Sequence, residues 1–136
     1  WLIISCMISK LKMSVILILN NNMILEEEQI ILDKAIAYFM GWRIDNSFPD
    51  KGKVWRKGSF IELETTMKFS VDYNALMEVF DAVNKIEGIS VVIADSECKI
   101  YEDGRLKNSV LGTANTKEYV YKCLGYFILD YNKSQL

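Results

Sequence analysis

The chain has 136 residues, 51% of them hydrophobic, and its 16 basic and 18 acidic side chains give a formal net charge of −2. A chain of this length builds one hydrophobic core and is too short for two full domains. The near balance of charge excludes a surface-wide field that would attract nucleic acid or an anionic membrane, and the absence of histidine excludes Ser-His-Asp and Cys-His catalysis and most catalytic zinc sites.

Cysteine usage and hydropathy indicate a reducing compartment and no membrane span. The three cysteines, Cys6, Cys98 and Cys123, are an odd number without C-x-x-C spacing, so the sequence predicts neither a disulfide scaffold nor a structural zinc site. No apolar run reaches the roughly 18 residues that a transmembrane helix requires. We therefore expect a cytoplasmic protein with no membrane partner.

Residues 1–22 are expected to form an N-terminal extension that precedes a single domain at residues 23–136. Within the extension, Met13 to Leu19 has the length and the β-branched content of a buried strand. The alternative, an edge strand or a frayed tail, fits the usual behaviour of chain termini.

The first helix is predicted from Ile24 to Met40. Its buried face, at three- and four-residue spacing, is Ile31 or Leu32, followed by Ala35, Ile36 and Phe39. Three glutamates, Glu26 to Glu28, fall where the helix dipole favours carboxylates. Gly41 can adopt the left-handed conformation that ends a helix.

A two-stranded ribbon and a second helix are predicted next. After a turn at residues 50–53, Val54 to Arg56 and Phe60 to Glu64 have the pattern of two extended segments. Ser70 or Asp72 is the predicted N-cap of the second helix. The buried stripe of that helix is predicted at Tyr73, Leu76, Val79, Phe80 and Val83, with Gly88 as its end.

An antiparallel hairpin and a third helix complete the predicted elements. The hairpin strands are Ile89 to Ala94 and Cys98 to Tyr101, with a further extended segment at residues 109–111. Asn115 and Glu118 have the spacing of a capping box. The third helix then presents Val120, Leu124, Phe127, Ile128 and Tyr131 on one face.

The order of these elements predicts an α+β fold, in which an antiparallel β-sheet packs between or against three amphipathic helices. Helices on both faces of the sheet, an α-β-α sandwich, fit the pattern but are not required by it.

A basic and aromatic segment between the first two helices is the candidate binding site. Residues 43–57 contain five basic side chains against Asp45 and Asp50, and guanidinium groups and indole faces are suited to holding phosphates and stacking on bases. The candidate ligand-binding residues are Trp42, Arg43, Lys53, Trp55, Arg56 and Lys57. The alternative is that Trp42 and Trp55 anchor the segment in the core, with the lysines merely solvated.

Four motifs together resemble the phage α-β-α (ABA) sandwich domain family. They are F-M-G-W at Phe39 to Trp42, the extended segment around Trp55, F-S-V-D-Y-N-A-L at Phe69 to Leu76, and the closing helix from Thr116 to Tyr131. The resemblance covers roughly residues 24–132. It implies a small phage or prophage protein with helices on both sides of an antiparallel sheet. The resemblance identifies no catalytic residues in this sequence.

Two further groups of side chains are weaker candidates. Asp95, Glu97, Glu102 and Asp103 could hold a divalent cation if they converged, although acids in exposed turns explain them as well. Tyr119, Tyr121 and Tyr126 form a candidate interface on the third helix if they are exposed, and otherwise enlarge the core. Cys98 and Cys123 are expected to be inert core thiols.

The sequence therefore favours a small non-enzymatic, phage-encoded binding protein of the host bacterial cytoplasm. We expect it to interfere with a host process such as antiviral defence, by binding a host protein or by sequestering a small anionic nucleotide. No cofactor and no metal are expected. The alternatives are a small metal-dependent enzyme acting on nucleic acid or nucleotides, and a virion or assembly component that forms homo-oligomers.

Overall fold

A computed structural model describes residues 25–112 and 118–136 of the chain. These residues contain three α-helices: α1 (Glu26–Phe39), α2 (Tyr73–Asn84) and α3 (Glu118–Ser134). The strands are β1 (Arg43–Asp45), β2 (Val54–Lys57), β3 (Phe60–Leu63), β4 (Ile89–Ala94), β5 (Glu97–Glu102) and β6 (Arg105–Leu111). Short 3-10 turns lie at Pro49–Lys51 and Glu64–Thr66.

The strands form two separate antiparallel sheets. The smaller sheet has the order β1-β2-β3 and the larger one the order β4-β5-β6. Helices and antiparallel sheets in one chain confirm the predicted α+β class. The predicted ribbon is β2 paired with β3, and the predicted hairpin is β4 paired with β5. Strand β1 was not predicted, and it pairs with β2.

The core lies between the larger sheet and the helices. One face of this sheet contributes Val91, Cys98 and Ile100 to a single buried cluster with residues of α2 and α3, and α1 packs against α3 through Leu32 and Ile36. On the opposite face, Val92, Leu106 and Leu111 are exposed. Within the described part of the chain, helices therefore cover one face of the larger sheet.

The helix ends follow the predicted capping chemistry. Asp72 rather than Ser70 is the N-cap of α2, because its Oδ1 atom accepts a hydrogen bond from the Ala75 amide at 3.1 Å. At the end of α1, Gly41 has a φ of 99°, and this left-handed conformation directs the Trp42 amide back to the carbonyl of Ala37 at 2.9 Å. These contacts fix where the ribbon leaves α1.

Some predictions differ from the structure or fall outside it. Tyr73 was predicted on the buried stripe of α2, but it lies in the first turn of the helix and is 48% exposed. The predicted strand at Met13 to Leu19 and the predicted cap at Asn115 lie outside the described residues. None of the described helices is both long and apolar enough to cross a membrane.

The turn between β4 and β5 offers a site for stabilisation. Asp95 and Ser96 both have positive φ, 52° and 62°, as a two-residue hairpin turn of type I′ requires. A glycine adopts this conformation without the steric penalty that serine has. We expect Ser96→Gly to raise the free energy of unfolding by about 0.5–1 kcal/mol, measured by urea denaturation.

The matched control is Ser90→Gly inside β4. Because glycine weakens the interior of a strand, this variant should be less stable than the unmodified chain. A Ser96→Gly variant that lost stability would contradict the type I′ interpretation.

Candidate functional site

The predicted ligand-binding residues are distributed over separate surfaces. Arg43 and Arg56 line a shallow depression beside Asp45. Trp42 and Lys57 line a groove between the ribbon and α2. Trp55 lies at a cavity beside α1, and Lys53 is exposed at the start of β2. The structure therefore does not assemble the six predicted residues into one pocket.

Both arginines already have partners within the chain. The Arg43 guanidinium lies 3.8 Å from the centre of the Tyr38 ring and donates to the carbonyls of Tyr38 and Trp42. Arg56 Nε lies 2.6 Å from Asp45 Oδ2. Hydrogen bonds from Ser47 and then from Arg56 lower the pKa of Asp45 to about 2, so this partner stays ionised. A phosphate would have to compete with these contacts.

The two tryptophans of the segment have different roles. Trp55 is only 5% exposed, and its indole Nε1 donates to Glu64 Oε1 at 3.0 Å. Its ring therefore anchors the segment in the core, as the alternative interpretation proposed, and exposes too little surface for a base to stack on it. Trp42 is half-buried against the core and contributes to the wall of the groove.

The groove between the ribbon and α2 has a volume of about 420 Å³. Its apolar walls include Met40, Trp42, Phe60, Met67 and Phe69, with Lys57 and Lys68 among the polar lining residues. One wall is strand β3, whose four residues are all exposed. Phe60 is 70% exposed, Ile61 47% and Leu63 39%.

Strand β3 is also an edge strand. It pairs with β2 on one side, and on its other side no strand of the described residues pairs with it. An edge with exposed apolar side chains is unusual, because proteins normally protect such edges with charged residues, proline or a covering segment. The groove and β3 together form what we term the ribbon edge, defined by Trp42, Lys57, Phe60, Ile61 and Leu63.

A second cavity, of about 310 Å³, lies where α1 meets the ribbon and the chain that leads to α2. It was not predicted from the sequence. We term it the Asp33 cavity, and its walls include Gln29, Asp33, Lys34, Trp55, Glu64 and Lys68. Lys34 Nζ lies 3.7 Å from Glu64 Oε2, so the carboxylate of Glu64 accepts a hydrogen bond from the indole of Trp55 and forms an ion pair with this ammonium.

Asp33 is a carboxylate inside the core, only 7% exposed. Its Oδ1 atom accepts from the Phe69 amide at 3.1 Å and from the Tyr121 hydroxyl at 2.8 Å. Burial raises the pKa of Asp33, although the hydrogen bonds from Tyr121 and Phe69 oppose the increase. A buried carboxyl group with a perturbed pKa in a cavity is a feature common at functional sites.

The four acidic residues of the hairpin do not converge. Asp95 and Glu97 lie at one end of the β4-β5 pair, and Glu102 and Asp103 lie at the other. Six paired positions separate the ends by roughly 17 Å at the rise of an antiparallel strand. Glu97 contacts Lys99, and Glu102 contacts Lys107. The acids at the two ends of the hairpin therefore do not converge as the metal-dependent alternative requires, and the described residues contain no group of three or more acidic or cysteine side chains placed to hold a metal ion.

The tyrosines of α3 do not form a common exposed stripe. Tyr121 is fully buried, so its assignment to an interface is wrong, and it belongs to the core through its hydrogen bond to Asp33. Tyr119 is half-buried. Tyr126 is 40% exposed, and its hydroxyl donates to Glu28 on α1. The candidate interface is thus reduced to two tyrosines, one of which bridges two helices.

The two described cysteines are core residues. Cys98 and Cys123 are fully buried, and the Cys123 thiol donates to the Cys98 carbonyl at 3.3 Å. The interaction with Cys98 and burial both raise the pKa of Cys123. A thiol held in its protonated form is a poor nucleophile.

The described geometry thus offers two places where another molecule could bind, the ribbon edge and the Asp33 cavity. Comparison of the chain with models of protein families, with curated proteins and with solved structures finds no match.

Proposed function

We propose that this chain is a small non-enzymatic binding protein whose partner is another protein, held at the ribbon edge. The observation that carries the proposal is the exposure of Phe60, Ile61 and Leu63 on an edge strand. Ile61 and Leu63 lie on one face of the strand and Phe60 on the other, and exposed apolar side chains grouped at one edge are typical of contact surfaces.

The chemistry of the ribbon edge indicates an extended segment as the partner. A strand added to β3 would pair with its outer backbone groups, and this main-chain pairing provides affinity without a particular sequence. Phe60 and Ile61 point to opposite faces of the sheet, so a partner strand with two adjacent apolar side chains would place one of them beside each. The groove beside Trp42 would accept one bulky side chain from that partner.

Sequestration of a nucleotide is less well supported than protein binding. Arg43 and Arg56 are engaged by Tyr38 and Asp45, and Trp55 is buried. Of the residues predicted to hold a nucleotide, Trp42 and Lys57 line the same groove. They serve a protein partner equally well, since tryptophan is enriched in protein contact surfaces.

The cellular role proposed for this binding is interference with a bacterial host process, such as antiviral defence, in the host cytoplasm. Support comes from the resemblance of Phe39 to Trp42 and Phe69 to Leu76 to the phage sandwich family. The α+β class agrees with that resemblance, whereas the helices of the described residues cover one face of the larger sheet and not both. A binding protein that catalyses no reaction would act by covering a surface of a host protein that this host protein needs for its function.

The proposal predicts that Ile61→Lys abolishes partner binding while the chain stays folded. Lysine on an edge strand opposes strand addition, and Ile61 is 47% exposed, so the core is not disturbed. A protein captured from bacterial lysate on the immobilised chain would be purified and its affinity measured by calorimetry. We expect Ile61→Lys and Phe60→Ser each to weaken binding by at least about tenfold.

The matched control is Leu106→Lys, which places the same charge at an exposed position of another strand, where the leucine is 55% exposed. It should bind like the unmodified chain. The proposal is wrong if binding survives both ribbon substitutions, if Leu106→Lys weakens it equally, or if no bacterial protein binds the unmodified chain.

A further inference from the structure

The Asp33 cavity has the properties of a small-molecule site that is separate from binding at the ribbon edge. Its volume of about 310 Å³ lies at the lower end of the range for ligand pockets. It is lined by the buried residue Asp33, and Trp55, Ile30 and Met67 contribute apolar surface. A buried polar group next to apolar surface is an arrangement that ligand pockets use to orient one group of the ligand.

The charges around Asp33 are incompletely balanced. The cavity is lined by the acids Glu26, Asp33 and Glu64 and by the bases Lys34 and Lys68. Lys34 contacts Glu64, and Lys68 affects Asp33 only through a longer-range electrostatic interaction. Within the described residues, no basic group lies within 4.0 Å of the Asp33 carboxyl oxygens. Asp33 thus has neutral hydrogen-bond donors but no directly contacting cation.

We propose that the Asp33 cavity binds an organic cation, a guanidinium or a primary ammonium on a short apolar stem, with Asp33 as its counter-ion. The cationic head would supply the charge that the neighbouring side chains do not provide. The stem would lie against Ile30 and Met67, and the Trp55 indole would add apolar contact. The same head group occurs in free polyamines and in arginine or lysine side chains of a partner.

An anionic ligand fits the cavity less well. It would be placed beside Asp33 and Glu64, and repulsion between like charges in a partly buried site is strong because little water screens it. A neutral ligand would leave Asp33 without a counter-charge. The buried carboxylate therefore selects the cation among small ligands of this size.

Affinity for the cation should increase with pH. The cation prefers the ionised form of Asp33, and protons compete for the same carboxylate. Burial raises the pKa of Asp33 above the ordinary 3.8, so the loss of affinity on acidification should begin at a higher pH than for an exposed aspartate. The other charged or titratable groups that face this site are Glu26, Lys34, Glu64, Lys68 and Tyr121.

The test uses pentylguanidinium and its neutral isostere pentylurea, each titrated into the full chain and followed by NMR. The reporters are the Phe69 amide and the Trp55 indole N–H, which contact Asp33 and Glu64 respectively. We expect saturable shifts of both signals, with pentylguanidinium binding at least about tenfold more tightly than pentylurea. Spermidine and N-acetyl-arginine methylamide, titrated in the same way, distinguish a free polyamine from a side chain of a partner.

The variants Asp33→Asn and Asp81→Asn each remove one carboxylate, the first in the cavity and the second on the exposed side of α2. Only Asp33→Asn should eliminate the preference for the cation. If that variant does not fold, the pH dependence of binding by the unmodified chain provides the same test. Equal binding of the two isosteres, cation preference in Asp33→Asn, or affinity independent of pH would each overturn the proposal.

Discussion

Replacing Gly125 by leucine should lower the free energy of unfolding by about 3 kcal/mol, because at this position a residue of α1 packs directly against the backbone of α3. A β-carbon built on Gly125 would lie 3.1–3.2 Å from three side-chain carbons of Leu32. Position 125 and Leu32 are both buried. Neither the side chain of Leu32 nor that of the substituted leucine can therefore turn out into water. A leucine there would force the two helices apart.

Gly125→Ala should have a much smaller effect than Gly125→Leu. Alanine adds one methyl group, and its higher helix propensity contributes about 1 kcal/mol in the opposite direction. The measurement is urea denaturation followed by circular dichroism, with the slope of the transition compared between variants.

A double-mutant cycle tests whether contact with Leu32 is the cause. In Leu32→Ala the space opposite Gly125 is enlarged, so Gly125→Leu should be less destabilising in that background than in the unmodified chain. Additive effects of the two substitutions would show that the strain arises elsewhere. Unchanged stability of Gly125→Leu would contradict the close packing of α1 on α3.

Local patterns were sufficient to predict most of the secondary structure. The apolar period located α1, α2 and α3, and the cap of α2 was narrowed to Ser70 or Asp72, of which Asp72 satisfies the free helical amide. The polar stretch Asp95-Ser96-Glu97 indicated the turn between β4 and β5, which Asp95 and Ser96 form. Each of these signals lies within a few residues of the feature that it determines.

Strand β1 could not be predicted because its three residues have too little pattern of their own. Arg43, Ile44 and Asp45 become a strand by pairing with Arg56, Trp55 and Val54, which are nine or more residues away in sequence. That pairing also brings Asp45 to Arg56, and so it neutralises part of the predicted basic site. The contact between Arg56 and Asp45 cannot be recognised from their spacing in the sequence, and for this reason Arg56 was assigned to a ligand.

The Asp33 cavity was missed for a related reason. A local signal existed, since Asp33 lies beside Leu32 and one turn before Ala37, both of which are fully buried. Its hydrogen-bond partners, Phe69 and Tyr121, are 36 and 88 residues away. An acidic residue at the border of an apolar helix face can only be recognised as buried once those partners are placed.

Loss of the Tyr121 hydroxyl should be the second large effect on stability. The hydroxyl is fully buried and lies 2.8 Å from Asp33 Oδ1 and 3.1 Å from the Gln29 carbonyl. Tyr121→Phe keeps the ring and removes one of the donors to a buried carboxylate. At pH 7 we expect it to lower the free energy of unfolding by about 2 kcal/mol, as measured by urea denaturation.

The stability that is lost in Tyr121→Phe should depend on pH. The direction of this dependence follows from the pKa of Asp33. Burial raises that pKa in the folded protein above the ordinary 3.8, so the protonated carboxyl group favours folding and its contribution is lost as pH rises through the folded pKa. Without the Tyr121 hydroxyl the folded pKa rises further. The difference in stability between Tyr121→Phe and the unmodified chain should therefore be smaller at pH 4 than at pH 7.

Two variants separate the lost hydrogen bond from a general effect of removing a hydroxyl. In Tyr119→Phe, the hydroxyl is removed from a half-buried tyrosine of the same helix, and the hydroxyl of Tyr119 makes no hydrogen bond to the described residues. Its stability should change by less than about 0.5 kcal/mol.

The second control uses an Asp33→Asn background, in which the charge is absent. Tyr121→Phe should be less destabilising there, and the pH dependence of its effect should disappear. An equal loss at pH 4 and pH 7 would mean that Asp33 is not the group stabilised by this hydroxyl, and would also remove the support that its burial gives to the cation site.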